Sequence, residues 1–236
     1  MNQYYPSLLS PLKIGGKVLK NRMGMSNAAP TFVKGSDNLY PLESLVTYMR
    51  DMARNGAAIV TCPCPNWRSA RSRPIKLDPK MMVPVFNEID KHQHFPIPGE
   101  EKGFDLEIQN VRIMFSRIAE AIHGEGSLAS ISCMEIEPLG WDFDEIPLEY
   151  LDEMLDNFAD ICRLYQSLGF DICNIYMSND NTLLAKSLSP VLHTRTDNYG
   201  GKTLRERAAL TMELFRRIRK DVYKRQPTLV WQVYPS

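Results

Sequence analysis

One polar stretch of the chain, Leu188–Gly201, has the residue types that chemistry needs. It lies between a predicted strand that ends near Met177 and a predicted helix that begins near Leu204. Within five residues it carries a cation, a carboxylate and a phenol: Arg195, Asp197 and Tyr199. Polar loops between a strand and a helix are where α/β proteins place catalytic and binding side chains. The stretch is therefore the first candidate for an active-site loop.

The cysteines are the other residues with chemistry of their own. The chain has five, at positions 62, 64, 133, 162 and 173. An odd number, with three inside predicted strands or helices, is typical of reduced thiols in a cytoplasmic protein. Cys62-Pro63-Cys64 spaces its thiols more closely than a usual zinc half-site. We therefore predict no metal site.

Composition and charge exclude several classes of function. The chain has 236 residues and a net charge of zero, which gives no reason to expect a nucleic-acid partner. No apolar run approaches the roughly 20 residues that span a bilayer. The first residues lack the basic and apolar regions of a signal peptide. We expect a cytoplasmic protein that binds neither nucleic acid nor membrane.

The elements that must position these residues follow one another in a regular order. Two short alternating runs around Gly15-Gly16 predict a β-hairpin. Strands are then predicted near residues 23–26, 57–62, 128–133, 171–177 and 228–234. Helices are predicted from Pro41, over 108–123, from Ile146-Pro147 to Gly169, and from Leu204 onward with an inward stripe of Leu204, Ala208, Thr211, Phe215, Ile218 and Val222.

Strands that alternate with long helices predict right-handed crossovers and a parallel sheet. A doubly wound sheet would fit this order. However, no strand is followed by a Gly-x-Gly-x-x-Gly turn, and several strands are followed by long polar loops. Such loops are typical of the catalytic face of a (β/α)₈ barrel. We predict an α/β fold in which residues 1–236 form one incomplete TIM barrel of about five strands, preceded by the hairpin.

Three runs of sequence resemble the Old Yellow Enzyme group of NADH:flavin oxidoreductases, nearest its 2-enoate reductase and 2,4-dienoyl-CoA reductase branch. They stand in family order across nearly the whole chain. The runs are Leu9-Ser10-Pro11-Leu12-Lys13-Ile14 with Leu19-Lys20-Asn21-Arg22, then Asn55-Gly56-Ala57-Ala58-Ile59-Val60-Thr61, and then Leu188-Ser189-Pro190 with Arg195-Thr196-Asp197-Asn198-Tyr199-Gly200-Gly201 and Arg205-Glu206-Arg207.

The resemblance implies a barrel with FMN at the carboxyl ends of its strands. In the resembled family a hydride passes from NAD(P)H to the flavin and then to the β-carbon of an activated alkene. The implied partner is a small unsaturated carbonyl compound: an enoate, an enone or a dienoyl thioester. The implied activity is that of an ene-reductase. The chain ends near the fifth strand, so we expect the late-barrel phosphate loops, and the branch's iron–sulfur cluster and FAD, to belong to a region beyond it.

Six residues occupy positions that contact the flavin in the resembled family. Those at the end of the first strand are Asn27, Ala28 and Ala29, where the family has a threonine or cysteine among them. The others are Ala58 in the second strand, Ser130 in the third and Gln232 in the fifth. The family usually has a glutamine at the third of these strands and a cation at the fifth. Because Gln232 is neutral, it would stabilise an anionic reduced flavin ring less than the cation of the resembled family does.

The substrate anchors of the family, a histidine and a second donor three residues later, match Tyr176 and Asn179. Both side chains donate hydrogen bonds and can polarise a carbonyl oxygen. We predict these two as the catalytic residues. In this interpretation Arg195, Asp197 and Tyr199 form an ion pair and a turn, Gly200-Gly201 supply positive φ, and Thr203 and Glu206 form a capping box.

Two alternatives remain open at this point. A flavin-barrel relative that has lost catalysis could serve as a binding or scaffold protein, and the changes at Ala29, Ser130, Tyr176 and Gln232 favour it. A complete doubly wound α/β protein is the other. Five strands cannot close into a barrel, so their edges would expose backbone groups. We therefore expect poor solubility or a homo-oligomer from this chain alone.

Overall fold

The computed structural model describes residues 4–14, 16–27, 43–62, 109–133, 143–177, 182–222 and 229–232. In chain order its elements are α1 (Pro6–Leu9), β1 (Leu12–Ile14), β2 (Lys17–Leu19), β3 (Gly24–Met25), α2 (Glu43–Arg54), β4 (Ile59–Cys62), α3 (Gln109–His123), β5 (Leu128–Cys133), a 3₁₀ turn (Phe143–Glu145), α4 (Leu148–Ser167), β6 (Ile172–Tyr176), α5 (Leu183–Leu188), α6 (Leu204–Arg207), α7 (Ala209–Val222) and β7 (Leu229–Gln232).

Five of the strands form one parallel sheet in strictly sequential order, β3-β4-β5-β6-β7. Every strand pairs with its neighbours in this sequence, so β4, β5 and β6 each have two partners and the order never reverses. A doubly wound sheet reverses its strand order at a switch point. That alternative is therefore wrong, and the predicted incomplete barrel is confirmed. Among the described residues, β3 and β7 are the two edge strands and do not pair with each other.

The predicted hairpin is confirmed as β1 and β2. These strands pair antiparallel, with Leu12 opposite Leu19 and Ile14 opposite Lys17. Lys20, just after the hairpin, donates hydrogen bonds from Nζ to the carbonyl oxygens of Ala53 (2.8 Å) and Glu125 (2.9 Å). Ala53 lies in the last turn of α2, and Glu125 follows the end of α3. Lysine near the last carbonyls of a helix stabilises that end. The hairpin region thus holds two helices at the amino end of the sheet.

Alternate residues of each strand point towards the helices and form the hydrophobic core. On β4, β5 and β6 these residues are apolar or thiol-bearing and essentially buried: Val60, Cys62, Ala129, Ile131, Cys133, Cys173 and Ile175. The helices contribute apolar stripes to the same cluster, and α7 packs against α4. The amphipathic periodicity of these segments is what allowed both the strands and the helices to be predicted.

The opposite, concave face of the sheet changes character along the strands. Near the amino ends it carries the aliphatic side chains of Ile59, Leu128 and Ile172. Towards the carboxyl ends it carries buried polar side chains: Thr61, Ser130, Ser132 and Asn174. Register places Thr61 beside Ser130, and Ser132 beside Asn174. Polar groups are therefore concentrated in the carboxyl half of this face.

Asp171 connects three elements at the amino end of β6. Its carboxylate accepts hydrogen bonds from Lys17 Nζ (2.9 Å), His123 Nε2 (2.7 Å) and the backbone N–H of Ala129 (2.9 Å). The Asp171 side chain is only 8% exposed. Burial raises the pKa of this carboxyl, but the three hydrogen bonds outweigh burial and leave the pKa below its ordinary value.

The last predicted helix needs two corrections. The structure divides it into α6 and α7, with Ala208 between them. Leu204, predicted to face the core, is 69% exposed because the stripe of α7 is not continued into α6. The polar stretch before it also contains the end of a short helix, α5, that was not predicted. Within the described ranges, no helix combines the length and apolar character needed to cross a membrane.

Candidate active site

The candidate site lies at the carboxyl end of the concave face. Tyr176 is the last residue of β6 and is partly buried. It stands in register with Gln232, the last residue of β7. The structure therefore brings together the backbone positions of a predicted catalytic residue and a predicted cofactor residue that are far apart in sequence.

A side-chain hydrogen bond across the sheet links a third predicted residue to the same region. Asn27 Nδ2, just beyond β3, donates to Ser132 Oγ of β5 at 2.9 Å. Strand β4 lies between them, and flat neighbouring strands two apart would be separated by about 9.6 Å. The bond is possible because the sheet curves, which tilts both side chains towards the concave face. Asn27 thus joins the polar half of that face.

Asn174 is the most unusual polar group of the site. It is 6% exposed and lies in register with Ser132, two residues before Tyr176 on the same face of β6. Its Oδ1 atom is buried and has no hydrogen-bond partner among the described residues. A buried acceptor that is left unsatisfied costs about 1–3 kcal/mol. An unsatisfied acceptor at the carboxyl end of a barrel strand is a feature that a bound ligand would explain.

The other predicted cofactor residues lie deeper or elsewhere. Ser130 is 1% exposed and sits one layer below Ser132, beside Thr61 and Ile172. Ala58 is 1% exposed but precedes β4, so it lies at the amino end of the sheet, away from Tyr176. Ala28, Ala29 and Asn179 lie outside the described residues.

Sequence reasoning missed two residues of this site, Ser132 and Asn174. A usable signal was present, since polar residues alternate with isoleucine in Ser130-Ile131-Ser132 and in Asn174-Ile175-Tyr176. Alternation of this kind separates the two faces of a strand. What the sequence does not give is the register that places Ser132 beside Asn174, because that pairing joins segments about 40 residues apart.

The 188–201 segment is structural, as predicted. Arg195 is 7% exposed and pairs with Asp197, with Nη2 at 2.6 Å from Oδ2. Its Nη1 donates to the carbonyl oxygens of Phe143 and Ile146, each at 2.7 Å. The Asp197 carboxylate also accepts from the N–H of Tyr199 at 3.0 Å. Burial raises the pKa of Asp197, but the bonds from Arg195 and Tyr199 bring it below its ordinary value.

The two glycines of this segment act differently from the prediction. Neither Gly200 nor Gly201 has a positive φ, so the expectation of left-handed backbone there is wrong. A Cβ on Gly201 would lie 2.3 Å from the carbonyl oxygen of His193 and 2.6 Å from its ring. His193 is 2% exposed, and its ring nitrogens contact the carbonyl oxygens of Ser187 and Tyr199. Glycine is therefore required here by close packing.

The predicted capping box is confirmed. The N–H of Glu206 donates to Thr203 Oγ1 at 3.2 Å, and the N–H of Thr203 donates to Glu206 Oε2 at 2.6 Å. These bonds lower the pKa of the Glu206 carboxyl. The box starts α6 directly after the 188–201 segment. The most recognisable stretch of the sequence thus fixes the chain between β6 and α7.

Known proteins similar to this chain share its fold. No model of a known protein family matches it. The "Metal reductase" of Desulforamulus reducens is 24% identical over 232 residues, which cover 94% of this chain and 32% of that protein. A 2-naphthoyl-CoA reductase complex matches with a TM-score of 0.68 and 20% identity. The match covers 96% of this chain and 35% of the reductase chain. The Old Yellow Enzyme of Trypanosoma cruzi has a TM-score of 0.67 and 14% identity, covering 97% and 66%.

The chain spans about a third of the curated relative and of the naphthoyl-CoA reductase chain. The names of these proteins are those of oxidoreductases, as is that of morphinone reductase, which matches with a TM-score of 0.65. The predicted resemblance is confirmed: the chain has the fold of the Old Yellow Enzyme group of flavin TIM-barrel oxidoreductases, over a part of the barrel that includes five parallel strands.

Proposed function

We propose that this chain is part of an FMN-dependent oxidoreductase that transfers hydride from NAD(P)H to an activated C=C bond. The observation that carries the proposal is the polar carboxyl half of the concave face, where Asn174 Oδ1 is buried without a partner among the described residues. Catalytic and cofactor residues of barrel enzymes lie at that end of the strands. The shared fold with named reductases supports the same conclusion.

The residues present fit the polar edge of a flavin ring. That edge has an N–H donor between two carbonyl acceptors. Asn174 Oδ1 is a buried acceptor that would receive such a donor, and it stands beside Ser132 and the Asn27 amide, which supply hydrogen-bond donors. When bound, FMN would supply the hydride that reduces the alkene. Of the predicted cofactor residues, Ser130 would support this layer from below.

Tyr176 would act on the substrate. It ends β6 on the face that carries Asn174, and it is only partly buried. We assign its O–H the role of donating to the substrate carbonyl oxygen, which draws electron density from the β-carbon and stabilises the enolate. Asn179 is proposed as the second donor. The neutral side chain of Gln232 would stabilise the reduced cofactor less than a cation at that position would.

The proposed substrates are enoates, enones and dienoyl thioesters. The naphthoyl-CoA reductase supports the thioester class, because its ligand is an aromatic acyl-CoA. The name of the Desulforamulus relative supports a second acceptor, an oxidised metal ion, which would take electrons without the need for a carbonyl donor. Tyr176 distinguishes the two, since only the alkene reaction uses its phenol.

The proposal is tested on the product of the whole gene that encodes this chain. Its visible spectrum should show bound flavin that is bleached by NADH or NADPH. Reoxidation by cyclohexenone, cinnamate or a dienoyl-CoA is expected, with ferric citrate as the metal arm. A protein that is colourless and cannot be reconstituted with FMN contradicts the proposal and supports the binding or scaffold alternative.

Tyr176→Phe tests the assigned role. We expect alkene reduction to fall about 10²-fold or more, which is the loss seen when one oxyanion donor is removed. Flavin content and bleaching by NADH should stay unchanged, because the ring contacts are made by other residues. Tyr150→Phe, on the helix side of the sheet, is the matched control. Equal alkene rates in the two variants would remove Tyr176 from the mechanism.

A further inference from the structure

Three cysteines converge on the helix side of the sheet, away from the candidate active site. Cys133 ends β5, Cys173 lies in β6, and Cys162 lies in α4, which covers both strands. Their Sγ atoms all lie within 4.8 Å of one another. All three are buried, at 1%, 6% and 0% exposure. They are thiols, as the sequence predicted, and none is part of a disulfide.

The fold explains why residues so far apart in sequence meet. Cys133 and Cys173 belong to neighbouring strands, on the face that the helices cover. In register, Cys133 lies beside Ile175 and Cys173 lies beside Ile131. Cys173 Sγ approaches the carbonyl oxygen of Cys162 at 3.8 Å, which brings the sulfur to α4. Packing accounts for the burial of each cysteine, because a thiol behaves as a small apolar group. It does not by itself account for three thiols directed at one point.

We propose that Cys133, Cys162 and Cys173 form a three-coordinate thiolate site for Cu(I). Soft sulfur ligands select Cu(I) and zinc among the common metals. A metal held at about 2.3 Å by three sulfurs in a plane needs sulfurs about 4.0 Å apart. The three sulfurs, which all lie within 4.8 Å of one another, are close to that arrangement. This site is independent of the function proposed above.

The number of ligands separates Cu(I) from zinc. Structural zinc sites have four protein ligands in a tetrahedron. No histidine, aspartate or glutamate joins the three cysteines among the residues that the structure describes. Three soft sulfur ligands without a fourth ligand therefore favour Cu(I) over zinc.

The test uses the purified chain, reduced and refolded without oxygen in the presence of one equivalent of Cu(I). Refolding is included because the site lies inside the core and metal binding to such sites is coupled to folding. Competition with a chromogenic Cu(I) chelator measures affinity, and X-ray absorption at the copper edge counts the sulfur ligands. We expect one tightly held Cu(I) per chain with three sulfur neighbours, and a higher melting temperature than without metal.

Matched variants locate the binding. Cys162→Ala should lower the affinity for Cu(I) at least about 100-fold, since even outer partners of a metal ligand are worth 10–100-fold. The control is the double variant Cys62→Ala with Cys64→Ala, which removes the other two cysteines and should bind as the parent does. Equal affinity in Cys162→Ala, loss of binding in the double variant, or fewer than three sulfurs on copper would each overturn the proposal. Because the sulfur count is made on the parent chain, an unstable variant does not affect it. Tighter binding of Zn(II) with a fourth ligand would also overturn it.

Discussion

Replacing Asp171 by asparagine should destabilise the chain by about 2–3 kcal/mol. The carboxylate receives three donors, and hydrogen bonds to a charged group are worth about 1.5–3 kcal/mol each. Lys17 and His123 are 29% and 40% exposed, so solvent reduces each of those contributions to about 1 kcal/mol or less. The bond from the Ala129 amide is the most enclosed. Asparagine keeps the shape and one acceptor oxygen, which limits the loss.

Urea unfolding of Asp171→Asn and of the parent chain measures this effect, read from the midpoint at constant slope. Asp51→Asn is the control, because Asp51 is 42% exposed and its ion pair with Arg50 is long, at 3.7 Å. We expect the control to change stability by less than about 0.5 kcal/mol. If both variants lose the same amount, Asp171 is not the connection that its contacts indicate.

The same variant has a pH signature. The pKa of Asp171 in the folded chain lies below the ordinary aspartate value of 3.8. Its charge therefore contributes stability in full above that ordinary value, and the contribution is lost as the pH falls through the lower, folded pKa. The difference between parent and Asp171→Asn should be constant at neutral pH and shrink below about pH 4. A difference that grows in acid would refute the assignment.

Two further substitutions test the packing and the site. Gly201→Ala should lower the free energy of unfolding by about 1–3 kcal/mol, as overpacking does, because the new Cβ would meet the His193 carbonyl oxygen at 2.3 Å. The control is Gly16→Ala, where a Cβ would have nothing within 4 Å, and it should be neutral in the same urea assay. Asn174→Leu should raise the free energy of unfolding by about 1 kcal/mol, because it removes an unsatisfied buried oxygen, and should weaken FMN binding measured by fluorescence quenching. A less stable Asn174→Leu chain, or one that binds FMN as the parent does, would contradict that account of Asn174.

Much of the fold could be predicted because its strands and helices have strong periodic patterns. The hairpin at Gly15-Gly16 and all five parallel strands were found from local sequence. The break at Ala208 was missed, since alanine favours helix and nothing in its neighbours stops one. The resulting stripe wrongly included Leu204. Local patterns thus identify elements well and their internal breaks poorly.

The site was less predictable, because it depends on which residues of different strands become neighbours. Tyr176 and Gln232 were chosen from a family resemblance, and the register that aligns them could not be read from either strand alone. Ser132 and Asn174 were missed for the same reason. The role of Gly201 required the position of His193, which no turn preference reveals. Prediction failed where a contact was tertiary.

The sequential order of the strands has a consequence for synthesis on the ribosome. Each strand after β3 pairs with a strand that has already emerged, so the sheet can grow by addition at one edge as the chain lengthens. Among the five strands of the described sheet, none has to be inserted between two others. The cost is that the newest strand always presents unpaired backbone groups until its successor arrives. We expect nascent chains that pause after β5 or β6 to be the ones that engage chaperones or associate with each other.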